Sequence, residues 1–214
     1  MKFSVSSSDL LKQLQIAGGA IGSNPVLPIL EDFLFTIENN KLIIAATDLE
    51  TSITTQIEVN ADTNGVVAVP AKILQDTLKE LPQQPITFNV NEENFGIEIT
   101  SAYGKYRLAG ENGQDFPRIP EPETVDTIKL SAGMLAQGIS KTLFATSNDE
   151  LRPAMTGVYC QVDFNKLIMV ATDAHKLVKY TFKEIQSEVS TSFIIPKKAL
   201  NLLKSALPGG DEVT

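Results

Sequence analysis

The 214 residues contain one cysteine, one histidine and no tryptophan. A single thiol, Cys160, can form no internal disulfide, which agrees with a reducing cytoplasm. It lies in the alternating stretch Val158-Tyr159-Cys160-Gln161-Val162, so it reads as a buried, inert thiol rather than a nucleophile. His175, the one imidazole, has no nucleophile or carboxylate at a recognisable catalytic spacing. There is no Cys/His cluster for zinc and no glycine-rich phosphate loop, and the carboxylates of Asp48-Leu49-Glu50 alone make a poor cation site. The chain is therefore read as a non-enzyme with no cofactor and no metal. No apolar run approaches the ~20 residues that a membrane span requires, and residues 1–13 lack the apolar centre of a secretory signal.

Basic residues are also scarce. Lysine and arginine number 18 against 26 acidic residues, for a net charge of −8 and a pI near 4.7. That balance excludes a uniformly basic nucleic-acid binder. Otherwise the composition is that of an ordinary globular protein, 43% hydrophobic and 21% charged, with mean hydropathy near zero. The length suffices for one large domain or two smaller ones.

What the chain does have is an internal repeat. At an offset of 125, Asn40-Lys41-Leu42-Ile43-Ile44-Ala45-Ala46-Thr47-Asp48 lies on Asn165-Lys166-Leu167-Ile168-Met169-Val170-Ala171-Thr172-Asp173, and Pro28 on Pro153. At an offset of 126, Val69-Pro70-Ala71-Lys72-Ile73-Leu74 lies on Ile195-Pro196-Lys197-Lys198-Ala199-Leu200, and Leu81-Pro82 on Leu207-Pro208. Two copies of one domain follow: residues 1–120, a proline-rich extended linker at 121–127, and residues 128–214. By the same spacing the second copy should continue to about residue 245, so it is expected to be incomplete at its C-terminal end. Thr47-Asp48 and Thr172-Asp173 recur in separate copies, which favours aspartate-capped turns over paired acid/base chemistry.

Each copy reads as α+β with antiparallel meanders. Strand patterns cover 2–5, 29–37, 41–47, 53–59, 66–69, 86–90, 96–100 and 105–109. Helices are expected over 7–20, 70–81, 131–145 and 196–206. Serine caps open the first and third, at Ser7 or Ser8 and at Ser131, and prolines open the second and fourth. Gly209-Gly210 is a natural stop. Helical periodicity collects Leu10, Leu14, Ala17 and Ile21, then Leu74, Thr77, Leu78 and Leu81, into inward stripes. Leu135, Ile139 and Leu143, then Leu200, Leu203 and Leu207, do the same in the second copy. Lys12, Lys72, Lys79, Lys141, Lys197, Lys198 and Lys204 fall off those stripes. These spans hold seven lysines against Asp9, Asp76 and Glu80, whereas the remainder carries 11 basic and 23 acidic residues. An acidic protein has thus placed its basic surplus on helix exteriors, a surface suited to phosphates without sequence readout.

Several segments resemble the bacterial DNA polymerase III β-subunit family, the sliding clamps. These are Met1-Lys2-Phe3, Pro28-Ile29-Leu30, Ala46-Thr47-Asp48-Leu49-Glu50, Val69-Pro70-Ala71-Lys72 and Asp115-Phe116-Pro117. In the second copy they are Asp149-Glu150-Leu151-Arg152-Pro153 and Ala171-Thr172-Asp173-Ala174-His175-Lys176-Leu177. The resemblance covers the whole chain and implies a DNA-clamp fold, with two helices per domain on an inner face and antiparallel sheets outside. It also implies three such domains per full-length chain, the third absent here, and a head-to-tail homodimeric ring around double-stranded DNA. The ring would bind without reading sequence and confer processivity on the polymerase.

Carried over by position, Lys72, Lys197 and Lys198 match basic DNA contacts, Asn24 a position often basic in relatives, and 148–154 a loop that touches template strand. Met155, Thr172, His175, Lys176 and Leu177 match the groove for apolar peptides of the polymerase α subunit, clamp loader and other partners. Ala174 stands where glycine is usual, and Lys176 where arginine is usual, which keeps the charge but loses the planar fork. Tyr106 and Leu108, with Ile73 nearby, match the dimer interface. The alternative is a repeated α+β protein-binding scaffold with no DNA role.

Overall fold

The computed structural model describes residues 1–119, 128–183 and 185–207. The linker read at 121–127, Pro208 and the Gly209-Gly210 stop lie outside them. The chain divides into two compact units, Met1–Pro120 and Glu121–Thr214.

Unit 1 is built from two five-stranded antiparallel sheets. One has the order β5 (Asn60–Thr63), β1 (Lys2–Ser6), β7 (Pro85–Val90), β8 (Gly96–Ser101), β9 (Gly104–Ala109). The other has the order β10 (Glu111–Asn112), β6 (Gly65–Pro70), β2 (Asp32–Glu38), β3 (Lys41–Thr47), β4 (Ser52–Glu58). Both meanders, β2-β3-β4 and β7-β8-β9, follow from short turns between alternating strands. Asn39 and Asn40 have φ of +51° and +62°, so a two-residue turn joins β2 to β3 with Glu38 opposite Lys41. Helices α1 (Ser7–Ala17) and α2 (Ala71–Lys79) bury Leu10, Leu14, Leu74 and Leu78 in one core with strands of both sheets. Phe3 stacks on Phe88 there at 4.7 Å between ring centroids.

Three expectations change. Residues 29–31 are not strand: Pro28 opens a 3-10 turn over Pro28–Glu31, and β2 begins at Asp32. Neither Ser7 nor Ser8 caps α1. Ser6 holds the N-cap position without a side-chain bond, and Ser7 is buried, its Oγ donating to the Pro82 carbonyl and accepting from the Gln84 N–H. Strand β5, Asn-Ala-Asp-Thr, carries no strand-like composition and is held by pairing with β1.

Unit 2 repeats one of these sheets, in the order β13 (Leu177–Phe182), β12 (Lys166–Thr172), β11 (Gly157–Asp163), β14 (Thr191–Pro196). Register repeats with it. Leu34 pairs with Ala45 and Ala68, and its counterpart Tyr159 pairs with Val170 and Ile194. Helices α3 (Ala132–Thr142) and α4 (Lys197–Ala206) pack Ile139 and Leu200 onto Val158, Cys160 and Met169. Ser131 caps α3 as expected, accepting from the Met134 N–H at 3.2 Å. Gly138 lets α3 approach the sheet, since a Cβ there would collide with Met169. Cys160 is buried, and burial pushes its thiol pKa up to about 11. No second sheet is formed by the described residues of this unit.

Asp32 opens β2 at 6% exposure. Burial first, then the charges of Glu111 and Glu31, raise its pKa to about 6. The folded state therefore holds a proton that the unfolded state releases near pH 4, so Asp32 costs stability as pH rises from about 4 to about 6. Asp32→Asn should stabilise unit 1 at pH 7.5 by on the order of 1 kcal/mol, a pKa unit being worth about 1.4. The gain should vanish below about pH 4 in paired thermal melts. An equal gain at both pH values would contradict this assignment.

Candidate nucleic-acid interface

The leucine stripes fix which helix faces reach solvent. With Leu10, Leu14, Leu74, Leu78 and Leu200 inside, Lys12, Lys72, Lys79, Lys141, Lys198 and Lys204 are exposed, and Lys197 is partly so. The lysines divide by position along their helices. Lys79, Lys141 and Lys204 lie in the last turns of α2, α3 and α4, where the negative end of the helix dipole favours a cation. Lys79 also pairs with Asp76 at 2.9 Å, and Lys12 with Asp9 at 3.3 Å, both three residues apart on their own helices. These four have local structural reasons to be where they are.

Lys72, Lys197 and Lys198 sit where the helix itself disfavours a cation. They occupy the first turns of α2 and α4, where the dipole opposes a positive charge by ~0.3–1 kcal/mol each. Neither first turn contains an acidic residue, and no side chain caps either helix. Among the described residues Lys72 forms no ion pair. Elsewhere Lys2, Lys105, Arg107, Arg152, Lys166 and Lys176 are all paired with carboxylates. Each unit thus sets ammonium charge, one lysine in unit 1 and two in unit 2, beside the main-chain N–H dipoles of one helix start, a local arrangement that attracts phosphate oxygens.

In unit 2 a loop joins this site. Lys197 Nζ donates to Asn148 Oδ1 at 2.8 Å, which ties 148–154 to the start of α4. Asp149 holds Arg152 at 2.8 Å, and those bonds with the Leu151 N–H keep its carboxyl below the usual range. The Asn148–Lys197 bond spans 49 residues, and the sequence carried no local signal for it. In unit 1, Asn24 is exposed on the loop after α1.

Four of the five groove residues lie in one turn segment. Thr172 ends β12, His175 and Lys176 form the turn, Leu177 begins β13, and Met155 lies two residues before β11. Asp173 organises it: Oδ1 accepts from the N–H groups of His175 and Lys176, and Oδ2 from the Lys176 ammonium. That ion pair and those bonds hold its carboxyl far below the ordinary carboxylate range. Ala174 is forced to φ +73°. Unit 1 repeats the device, with Asp48 Oδ1 accepting from Glu50 and Thr51, and Leu49 at φ +77°. Both aspartates are turn caps.

Of the other assigned positions, Tyr106 and Leu108 lie on β9, which pairs only with β8 among the described residues. Their side chains turn toward unit 1's own core, so the open feature is the strand's main-chain edge. Ile73 projects from α2 with 56% of its surface exposed. No three His, Cys, Asp or Glu side chains converge among the described residues, and no helix there is long and apolar enough to cross a membrane.

Comparison with known proteins agrees in both halves of the chain. Residues 1–120 match the model of the DNA polymerase III β subunit, N-terminal domain, and 129–214 that of its central domain. The chain is 31% identical to a β sliding clamp of Staphylococcus epidermidis over 220 residues and 30% to one of Synechococcus elongatus over 219. It covers 99% of itself but 58% of each relative. Among solved structures it is similar to the sliding clamp of Bacillus subtilis (26% identity, TM-score 0.93) and a putative DNA polymerase III β subunit of Eubacterium rectale (28%, 0.94), again covering 99% of itself and 58% of those chains.

The left-handed backbone at Ala174 gives a direct test. Ala174→Gly removes the Cβ penalty of that conformation and should raise unit 2 stability by about 0.5–1 kcal/mol. The same change at Ala136, inside α3, should lower it by a similar amount. Thermal melts that rank the two variants the other way would exclude a strained Asp173 turn.

Proposed function

The chain belongs to the DNA polymerase III β-subunit family, and we propose that it forms part of a sliding clamp that encircles duplex DNA and holds the replicative polymerase on it. The observation that carries this reading is the placement of Lys72 in one unit and Lys197 and Lys198 in the other. Each sits in the first turn of a helix, where the helix dipole disfavours a cation. Phosphate is the natural counter-charge for such a site, and it needs no base readout.

The acidic total charge is compatible with this role. A closed ring stays on DNA by topology, so modest local attraction suffices, and an acidic exterior discourages adhesion elsewhere. Lys12, Lys79, Lys141 and Lys204 add to the inner basic surface, and Asn24 and the 148–154 loop supply polar contacts. The clamp is a non-enzymatic cytoplasmic protein. It works as a head-to-tail homodimer of three-domain chains, with the β9 edge at Tyr106 and Leu108, and Ile73 beside it, meeting the partner. In this scheme 121–127 links the first two domains of such a chain. Apolar peptides of the polymerase α subunit, the clamp loader and other partners seat at Met155, Thr172, His175, Lys176 and Leu177.

The test uses a three-domain protein carrying these 214 residues, loaded onto nicked circular plasmid. The parent should stay on the circle and leave once the DNA is linearised. Lys72→Glu, Lys197→Glu and Lys198→Glu together should cut loading at least roughly tenfold, three lost phosphate contacts lowering the salt slope by about 3. A parent that does not load would favour a protein-binding scaffold without a DNA role, and a triple variant that loads like the parent would remove Lys72, Lys197 and Lys198 as the DNA contacts.

A further inference from the structure

The chain contains two Asn-Gly pairs, Asn64-Gly65 and Asn112-Gly113, both in unit 1. Asparagine before glycine readily loses its side-chain amide, because glycine has no Cβ to shield the main-chain nitrogen that attacks it. The fold treats the two pairs differently. Asn112 lies on β10 opposite Val67, and its Oδ1 accepts from the Gln114 N–H at 3.1 Å. Gly113 is buried, and a Cβ on it would collide with Val66. A hydrogen bond holds the asparagine of this pair, and packing holds the glycine.

Asn64 joins β5 to β6 outside either strand and is exposed. Among the described residues its carboxamide has no hydrogen-bond partner. Gly65 opens β6 on the last rung, opposite Ile37, where local opening is easiest. A bulkier residue would slow the attack, but packing excludes one there, since a Cβ on Gly65 would lie 2.9 Å from that of Met1.

We propose that Asn64 is a site of spontaneous covalent modification and that Asn112 is protected from it. The Gly65 nitrogen attacks Asn64 Cγ and a C–N bond closes a cyclic imide. The Cγ–Nδ2 bond breaks, and ammonia leaves with the proton that Gly65 gives up. Water then opens the imide at either carbonyl to give aspartate or isoaspartate, and nothing is oxidised or reduced. Isoaspartate routes the main chain through the side-chain carbon and lengthens the β5–β6 connection by that atom. Strand β5 pairs with β1 alone among the described residues, and its register is irregular between Lys2 and Phe3. Thr63, beside Asn64, pairs with Lys2 and accepts from its N–H through Oγ1 at 3.2 Å. The lengthened connection pulls this end of β5 away from β1, a slow, one-way change that records the age of the molecule. The inference is independent of the DNA-binding reading.

The test ages the chain in mildly alkaline buffer, folded and in denaturant, and reads both Asn-Gly peptides by mass spectrometry. Isoaspartate is scored by methyl transfer from S-adenosylmethionine with an isoaspartyl methyltransferase. In denaturant both pairs should lose ammonia at similar rates. In the folded chain Asn64 should react at least roughly tenfold faster than Asn112, the worth of a hydrogen bond that must break first. Amide hydrogen exchange across Asn60–Thr63 should rise in the isoaspartyl fraction and stay low in Asn64→Asp, which adds the charge without the extra atom. Equal folded rates, a faster Asn112, or reaction at neither pair while both react in denaturant overturns the site. Unchanged exchange in the isoaspartyl fraction, or an equal rise in Asn64→Asp, overturns the release of β5 by a lengthened chain.

Discussion

Burial of Leu10, Leu14, Leu74 and Leu78 in one core leaves α1 and α2 no freedom to rotate about their axes. Ile139 and Leu200 impose the same constraint on α3 and α4. Turning any of these helices outward would expose large aliphatic side chains at ~1.5–3 kcal/mol each. The positions of the lysines are therefore consequences of core packing, decided before any ligand is considered. What packing does not decide is which residue type occupies an outward position. Lysine in the last turn improves the helix, and lysine in the first turn weakens it. The first-turn lysines of α2 and α4 are for that reason more informative about function than the count of lysines as a whole.

Much of this was legible in the sequence because the chain carries its own comparison. The repeat gave the sheet and helix blocks, and the 3.6-residue stripes gave the inward faces, with Leu10, Leu14, Ala17, Leu74, Leu78, Ile139 and Leu200 buried and the other stripe residues half-buried. The failures are local and have physical causes. Pro28 could begin either a strand or a turn, and only packing of Ile29 and Leu30 decides for the turn. Ser7 looks like a cap by spacing, yet its hydroxyl is drawn inward by Pro82 and Gln84, some 75 residues away in sequence. Strand β5 exists because β1 offers it partners, which no property of Asn60–Thr63 announces. Among the site residues, membership of the Asp173 turn was readable from Thr-Asp recurring in both copies. The Lys197–Asn148 bond and the Asp9 and Asp76 ion pairs required coordinates, though the three-residue spacing of the latter was available in the sequence.

The Asp48 and Asp173 turns show how one device takes on two surfaces. Both use an aspartate oxygen to gather two N–H groups and drive the next residue into left-handed backbone. The residues that follow differ: Glu50 and Thr51 in unit 1, His175 and Lys176 in unit 2. Duplication kept the backbone solution while the exposed chemistry diverged.

The central claim is that the helix starts, and not the sheets, face the nucleic acid. Lysine acetylation footprinting of a three-domain protein loaded on nicked circular DNA tests it most directly. Lys72, Lys197 and Lys198 should lose reactivity on loading, whereas Lys41 at the β2–β3 turn and Lys105 on β9 should keep theirs. Equal protection of Lys41 and Lys105, or none at the three helix-start lysines, would contradict the account.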